Sequence, residues 1–296
     1  MNITITGGTG FIGGPLVKRL LANGHSVHVL GRTAPPEGVP FSAWDPAEGE
    51  PPQESLAGAD AVVYLAGEPV AQRWTREARR RIRDSRVEGA RLLVAAVSRL
   101  SQKPSALICA SAVGIYGSRG DEVLTESSPP GRDFLANLCQ EWESSADLAG
   151  FLGLRVVKLR IGVVLGPAGG ALQRMLPPFR AGLGGRLGSG RQWMSWIYLD
   201  DLAALIRFAI EQPSLRGVVN TTAPNPVTNA AFTAALATVL KRPAVLPVPA
   251  FVLKIAFGRM AEILLDSQRV VPQAAQAAGF RFEYADLEPA LRRSLA

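Results

Sequence analysis

Three glycines near the N-terminus have a spacing that suits the binding of a phosphate group by the polypeptide backbone. Gly7, Gly10 and Gly13 follow the β-rich run 3–6, and the helical pattern after them stops at Gly24. A strand, a glycine turn and a helix in this order let the backbone approach a pyrophosphate and direct a helix N-terminus at it. An ordinary glycine turn is the alternative. The pattern predicts a dinucleotide site, with these residues of the turn in contact with the cofactor: Gly7, Thr9, Gly10, Phe11, Ile12 and Gly13.

The second predicted strand indicates which dinucleotide binds. It covers residues 26–30 and leads into Gly31 and Arg32, and the sequence has no carboxylate between Asn2 and Glu37. An NAD site usually has an acidic residue here for the ribose 2′-hydroxyl, and its charge would repel a 2′-phosphate, which a guanidinium can bind with two hydrogen bonds. We therefore expect NADP(H), with Arg32 on the 2′-phosphate. A solvated surface arginine is the alternative.

Length and charge restrict the class of protein. The chain has 296 residues, of which 47% are hydrophobic, so it can bury a large core, and its net charge is +7. Much of this charge lies between Arg73 and Arg91, where eight arginines face three acidic residues. The same stretch has an apolar helical stripe and no interleaved aromatic residues for base stacking, which favours a solvated helix face over nucleic-acid binding.

Targeting, membrane and metal signals are weak. The N-terminus lacks the pattern of a signal peptide, and the most apolar stretch, Phe251 to Leu265, is interrupted by Lys254, Arg259 and Glu262. Cys109 and Cys139 cannot form a disulfide framework and lack the spacing of metal ligands. We expect a cytoplasmic protein without a membrane partner and without a metal site.

Strand and helix patterns alternate through the first two thirds of the chain. Predicted strands at 60–66, 105–111 and 154–161 are separated by long helices at 75–99 and 134–150. This order is typical of an α/β, Rossmann-type, doubly wound parallel sheet, in which ligands bind beyond the carboxyl ends of the strands.

The composition changes after Gly166, where glycine, proline and arginine become frequent. Residues 200–211 have the pattern of a helix, for which Asp200 is the expected cap. From Asn220 onward the pattern indicates three or four short helical segments. We interpret residues 1–219 as an NADP-binding Rossmann domain and 220–296 as a small, mostly helical C-terminal substrate lobe, to which 167–195 contribute.

Several segments resemble the extended form of the short-chain dehydrogenase/reductase superfamily. They are the glycine spacing after Thr6, the segments 65–67 and 111–117, and the segment 195–201 before a late helix. The resemblance implies that the segment beneath the adenine ribose consists of Leu65, Ala66 and Gly67.

Two polar residues outside these segments are further candidates for the cofactor. Ser85, on the long helix, is close enough in the predicted fold to reach a phosphate or ribose. Arg160 ends a strand that faces the site, and an ion pair with Glu143 is its alternative role.

A closer resemblance covers nearly the whole chain. It is to the epimerase family proteins, which carry a C-terminal domain of unknown function, and it rests on the segments 83–86, 133–143, 188–197 and 264–270. This resemblance implies the fold and the cofactor, but it implies no particular substrate.

The catalytic residues of the superfamily are missing. In its members a Lys four residues after a Tyr on one helix lowers the Tyr pKa from about 10, so that the phenol can exchange a proton near neutral pH. Alignment on Glu143 puts Leu135 at the Tyr position and Cys139 at the Lys position. Three interpretations stay open. Ser111 and Tyr116 form a substitute acid pair, or Cys139 is a nucleophile or redox thiol, or the protein binds NADP(H) and either does no hydride chemistry or does it with a substrate that needs no Tyr. Ordinary packing is the alternative role of Tyr116 and of Cys139.

The substrate side also departs from nucleotide-sugar epimerases, which usually carry an Arg where this chain has Met194. Trp193, Met194 and Trp196 indicate an apolar, aromatic wall and a flatter or less polar ligand, and Arg191 lies close by for an anionic group. Packing within the lobe is the alternative role of these aromatic residues.

The sequence as a whole favours an NADP(H)-dependent oxidoreductase that acts on an unidentified small molecule. An NADP(H)-binding or redox-sensing protein without hydride chemistry is the main alternative, and epimerase or dehydratase chemistry is a third. A homodimer through the helices at 75–99 and 134–150 is expected from the resemblance.

Overall fold

A computed structural model describes residues 1–36, 38–167 and 169–296 and contains a central sheet of seven parallel strands. The strands of the chain are β1 (Asn2–Thr6), β2 (Ser26–Gly31), β3 (Phe41–Ala43), β4 (Ala61–Tyr64), β5 (Ala106–Ala112), β6 (Val123–Leu124), β7 (Arg155–Ile161), β8 (Val163–Leu165), β9 (Trp193–Met194), β10 (Trp196–Tyr198), β11 (Gly217–Thr221), β12 (Val227–Thr228) and β13 (Arg269–Val270). The helices are α1 (Gly13–Ala22), α2 (Arg76–Asp84), α3 (Val87–Ser98), α4 (Phe134–Asp147), α5 (Gly170–Arg180), α6 (Leu199–Glu211), α7 (Asn229–Leu240), α8 (Ala250–Phe257), α9 (Glu262–Leu265), α10 (Gln273–Ala277) and α11 (Leu287–Leu295).

The strand order of the central sheet is β11-β7-β5-β4-β1-β2-β3. The chain winds outward from β1 in both directions, since β1 pairs with β2 on one side and with β4 on the other. A crevice therefore opens beyond the carboxyl end of β1, at the point where the winding reverses. The predicted fold class, a doubly wound parallel Rossmann-type sheet, is confirmed.

Side chains at the end of β1 hold the neighbouring strand in register. Ile3 and Ile5 are buried in the core of the sheet, and α1 covers that core with Leu16 and Leu20. The buried Thr6 accepts hydrogen bonds through Oγ1 from the backbone N–H groups of residues 65 and 66, each at 3.1 Å. These bonds bring the segment after β4 against the glycine turn.

The predicted long helix 75–99 is two helices, α2 and α3, that are separated at Ser85 and Arg86. Thr75 caps the first, with its side chain accepting from the N–H of Ala78. Tyr64 donates its hydroxyl to the carbonyl of Ser85 at 2.7 Å. In a continuous helix that carbonyl would accept from the N–H four residues later, so the bond from β4 lies at the break between α2 and α3.

A second, smaller apolar core lies in the C-terminal part of the chain. It combines residues of the segment 165–198 with later ones: Leu165, Leu172, Leu176, Phe179, Trp196, Tyr198, Ala223, Phe232, Leu236, Leu287, Ala290 and Leu291. The segment assigned to the lobe from sequence, 167–195, supplies α5 and three residues of this core. Two small sheets link these segments of the chain, since β13 pairs with β6 and β12 pairs with β9.

Asp200, predicted as the cap of a helix over 200–211, is not the cap. Helix α6 begins one residue earlier, with Tyr198 at the N-cap position and no capping hydrogen bond from a side chain of the described residues. The next residue, Asp201, is buried and accepts from the backbone N–H groups of Glu283 and Tyr284 at 3.0 and 2.9 Å. Asp201 therefore anchors the C-terminal tail.

Within the described residues, no helix combines the length and the apolar character needed to cross a bilayer. The same residues contain no group of three or more His, Cys, Asp or Glu side chains that is arranged to hold a metal ion.

The glycine turn gives a direct test of the fold. A Cβ at Gly13 would lie 2.1 Å from the carbonyl oxygen of Gly7, whereas a Cβ at Gly14 meets nothing within 4 Å. We expect Gly13→Ala to lower the free energy of unfolding by about 2–3 kcal/mol, because backbone must move to relieve the overlap. Gly14→Ala, on the same helix, is expected to raise it by up to about 1 kcal/mol. Urea unfolding followed by circular dichroism measures both, and equal stability of the two variants would contradict the close packing.

Candidate functional site

A cleft of about 760 Å³ opens at the carboxyl ends of β1, β2 and β4. Its volume is in the range of small-molecule sites. The indole of Trp44 forms one wall, with its Nε1 donating to the carbonyl of Gly49 at 2.9 Å. The cleft brings together eight of the residues that the sequence analysis proposed for the cofactor: Gly7, Thr9, Gly10, Arg32, Leu65, Ala66, Gly67 and Ser85.

The glycine turn leaves space and hydrogen-bond donors for a phosphate. Gly7 has φ of +72°, which favours glycine, and a Cβ at Gly10 would lie 3.3 Å from the carbonyl oxygen of Gly7. Helix α1 starts beside the turn without an acidic residue in its first turn, and no side chain of the described residues caps it. The first N–H groups of such a helix attract an anion, so the donor set fits a pyrophosphate.

Arg32 stands at the end of β2, on the rim of the cleft. Its side chain is 66% exposed, and Nη1 lies 3.9 Å from Oδ2 of Asp45, too far for a hydrogen bond. The guanidinium therefore keeps its donors available for an anionic group. Arg80 and Arg81, which the sequence analysis treated as part of a solvated face, also line the cleft. The helical pattern could not show this, because the pattern does not say which strand end a charged face adjoins.

Phe11, Ile12 and Gly13 are not among the residues that line the cleft. The ring of Phe11 packs against the glycines that begin α5, so that a Cβ at Gly170 would lie 2.7 Å from its Cε1. Ile12 is half-buried against the main core. Phe11 therefore connects the turn to the start of α5, and Ile12 connects it to the main core.

Beyond the cleft, at the ends of β5 and β7, lies a buried ion pair. Arg160 donates from Nε and Nη2 to the two carboxylate oxygens of Glu143, at 2.8 and 2.9 Å. Ser111 donates its hydroxyl to Oε1 of the same carboxylate at 2.7 Å. All three residues are buried. Arg160 thus has the partner that the sequence analysis gave as the alternative to a cofactor contact.

Tyr116 belongs to the same network. Its hydroxyl accepts from Nη1 of Arg160 at 2.9 Å and has Oδ1 of Asn220 as an acceptor at 2.6 Å. Burial raises the pKa of Tyr116, although the charge and hydrogen bond of Arg160 act in the opposite direction. The phenol is fully buried and is therefore neither exposed to a ligand nor a ready proton donor.

The thiol of Cys139 is also buried. Burial, followed by the charge of Glu143, raises the pKa of Cys139 to about 12, and the charge of Arg86 opposes this shift only in part. Since the thiolate is the nucleophilic form, the environment of Cys139 favours an unreactive thiol at neutral pH. Cys139, which aligns with the Lys of the superfamily, therefore carries no charge at neutral pH.

The substrate-lobe candidates are divided between core and surface. Trp196 is fully buried and donates from Nε1 to the carbonyl of Asn225 at 3.1 Å. Trp193 and Met194 are half-buried, and the guanidinium of Arg269 lies 4.3 Å from the ring centre of Trp193. Arg191 is exposed. Of these substrate-lobe candidates, only Trp193, Met194 and Arg191 have surface that a ligand can contact.

The buried ion pair predicts a large stability effect. Glu143→Gln removes the charge while it keeps the shape, and it leaves Arg160 buried without a counter-charge. We expect the free energy of unfolding to fall by about 3 kcal/mol. Glu288→Gln, which breaks the exposed pair with Arg292 on α11, is the control and should change it by less than about 1 kcal/mol. Urea denaturation measures the free energy of unfolding of both variants. Equal decreases would show that the Glu143 pair contributes no more to stability than a surface pair.

A second prediction concerns thiol chemistry. Both cysteines are buried with raised pKa values, so the native protein should react with Ellman's reagent at pH 8 far more slowly than the urea-unfolded protein, which should release two equivalents. One rapid equivalent in the native protein that disappears in Cys139→Ser would contradict this and would restore the interpretation of Cys139 as a reactive thiol.

Comparison with known proteins identifies the family of this chain. The NAD dependent epimerase/dehydratase family model matches residues 3–221, and a domain of unknown function, DUF1731, matches 248–294. The "Epimerase family protein SDR39U1 homolog, chloroplastic" of Arabidopsis thaliana is 44% identical over 99% of this chain and 86% of its own. "Epimerase family protein YfhF" of Bacillus subtilis is 40% identical over 100% of this chain and 98% of its own.

Solved structures give the same result. The crystal structure of human epimerase family protein SDR39U1 (isoform 2) with NADPH has a TM-score of 0.91 and 38% identity, over 99% of each chain. The UDP-glucose 4-epimerase of Thermus thermophilus, solved with NAD, has a TM-score of 0.79 at 23% identity, with 99% of this chain and 97% of that one covered, and shows the fold alone. The chain belongs to the NAD dependent epimerase/dehydratase family, in the group of the epimerase family proteins that carry DUF1731.

Proposed function

We propose that this protein binds NADP(H) in the cleft at the carboxyl ends of β1, β2 and β4. The observation that carries the proposal is Arg32, an exposed guanidinium on the rim of a cleft whose other end is a glycine turn at a helix N-terminus. The human relative, which was solved with NADPH, supports the choice of cofactor.

Each part of the cofactor has residues that fit it. The glycine turn and the start of α1 would hold the pyrophosphate, and Arg32 the 2′-phosphate. The segment 65–67 would lie beneath the adenine ribose, as the family resemblance implies. Ser85 is less available, because its hydroxyl donates to the carbonyl of Ile82 at 3.1 Å and accepts from the N–H of Glu68 at 2.9 Å. When bound, the nicotinamide supplies a hydride donor or acceptor.

We further propose an oxidoreductase that acts on a small molecule of low polarity. The lobe supports this, because the half-buried Trp193 and Met194 offer apolar surface and Arg191 offers a cation beside them. Ser111 and Tyr116 are the candidates for polarising a carbonyl. To do so, Ser111 would first have to release Glu143, and Tyr116 would have to release Asn220.

That requirement favours a second candidate function. An NADP(H)-binding or redox-sensing protein needs no proton donor beside the nicotinamide, and the buried hydroxyls of Ser111 and Tyr116 fit this role without rearrangement. Epimerase or dehydratase chemistry, with a transient oxidation, needs the same donor as a reductase and meets the same obstacle.

The cofactor proposal predicts a nucleotide preference. Fluorescence titration should show tighter binding of NADPH than of NADH, by about 10-fold or more, since hydrogen bonds between charged groups contribute about 1.5–3 kcal/mol. Arg32→Ala should remove most of this preference and leave the affinity for NADH nearly unchanged. Arg292→Ala, which breaks an exposed pair with Glu288 on α11, away from the cleft, is the matched control. Binding of neither nucleotide would overturn the proposal.

The two functions differ in turnover. Assay of a panel of aldehydes, ketones and quinones with NADPH should find oxidation of the cofactor if the protein is an oxidoreductase, and none if it only binds. For a substrate that is turned over, Ser111→Ala and Tyr116→Phe should lower kcat if these hydroxyls polarise the carbonyl. Unchanged kcat in both variants would remove them from the mechanism.

A further inference from the structure

Helix α8 is apolar and yet lies almost entirely at the surface. Of its eight residues, all within the described part of the chain, Leu253 alone is buried. Phe251 is 65% exposed and Ile255 is 79% exposed, with Val252 and Phe257 exposed beside them. An apolar helix of a water-soluble protein normally covers a core, so this helix lacks the partner that its composition calls for.

The exposed apolar surface extends beyond the helix. The segment 243–248, which leads into α8, runs beside the segment 183–188, with backbone hydrogen bonds from Leu246 to Gly184 and from Val248 to Arg186. The two segments expose Leu183, Val245 and Leu246. We call these three residues, together with Phe251, Val252, Ile255 and Phe257, the apolar face of the lobe.

The surroundings of the apolar face are basic. The sequence has no carboxylate between Asp147 and Asp200, nor between Glu211 and Glu262. Glu262 itself lies 3.5 Å from Arg259, whose charge it offsets. The exposed basic side chains on the segments that form or flank the face are Arg180, Arg186, Lys241, Arg242, Lys254 and Arg259.

We propose that the apolar face of the lobe docks on the surface of an anionic phospholipid bilayer, with α8 lying in the plane of the interface. Apolar side chains that enter the acyl boundary, with Lys and Arg beside them at the headgroups, are the two features that bind an interfacial helix to anionic lipid. From the sequence alone we expect no membrane partner, because Lys254, Arg259 and Glu262 interrupt the apolar run. Those charges exclude a span, but they do not exclude a helix that lies on the surface.

The charge distribution argues against a second copy of the chain as the occupant. Two copies that met through this face would bring together two cationic surfaces with few carboxylates to neutralise them, and like charges at an interface oppose association. An anionic surface offers the complementary charge. The proposal goes beyond the proposed function and does not depend on it, since the apolar face shares no residue with the cofactor cleft.

The experiment is co-sedimentation of the full-length protein with vesicles. We expect binding to an equal mixture of phosphatidylcholine and phosphatidylglycerol, little binding to phosphatidylcholine alone, and loss of binding as salt is raised. The variant Phe251→Ser with Ile255→Ser should weaken binding at least 10-fold, and Lys254→Glu with Lys241→Glu should weaken it as well. Phe151→Ser is the matched control, because Phe151 is 88% exposed but lies outside the apolar face.

Three results would overturn the proposal. They are the absence of binding to anionic vesicles, equal binding to both kinds of vesicle, and binding that the double serine variant leaves unchanged. Light scattering of the same variants tests whether a second copy of the chain covers the apolar face. If the unmodified protein is an oligomer and the double serine variant is not, the face is a contact between copies. Circular dichroism of each variant checks that it is folded without reference to any ligand. NADPH titration of the same variants then keeps the failure of this proposal distinct from failure of the cofactor proposal.

Discussion

The buried ion pair between Glu143 and Arg160 is the interaction on which the carboxyl ends of β5 and β7 depend. Two charges removed from water destabilise a fold unless each is fully hydrogen-bonded. Here the carboxylate has three donors, two from Arg160 and one from Ser111, and the guanidinium also contacts the hydroxyl of Tyr116. The network ties the ends of β5 and β7 to α4, and through Asn220 it reaches β11.

The same network gives the two ends of the site different characters. At the cofactor end, the glycine turn and Arg32 leave backbone donors and a guanidinium open to a ligand. At the other end, the hydroxyls that would serve a carbonyl are committed to buried partners, and the helix that would carry the Tyr and Lys pair presents Leu135 and Cys139. No Tyr in the sequence has a Lys four residues after it. The difference between the two ends makes the two proposed functions distinguishable by turnover.

Much of this could be predicted from the sequence because the signals are local. A strand, a glycine turn and a helix are encoded within residues 3–24, and the absence of a carboxylate between Asn2 and Glu37 is a property of the sequence alone. The alternation of strands and helices likewise predicted the doubly wound sheet, since each apolar strand must pair and each helix must cover a face. The family resemblance rests on such short segments as well.

Other features depend on residues that are distant in sequence, and only the tertiary structure determined them. At the break between α2 and α3, the carbonyl of Ser85 accepts from Tyr64, which lies 21 residues earlier in the sequence. Asp201 binds backbone N–H groups more than eighty residues later, where the sequence indicated only a helix cap at Asp200. The exposure of α8 is the same kind of result. Hydropathy records that a side chain is apolar, but only the packing of the whole chain determines whether anything covers it.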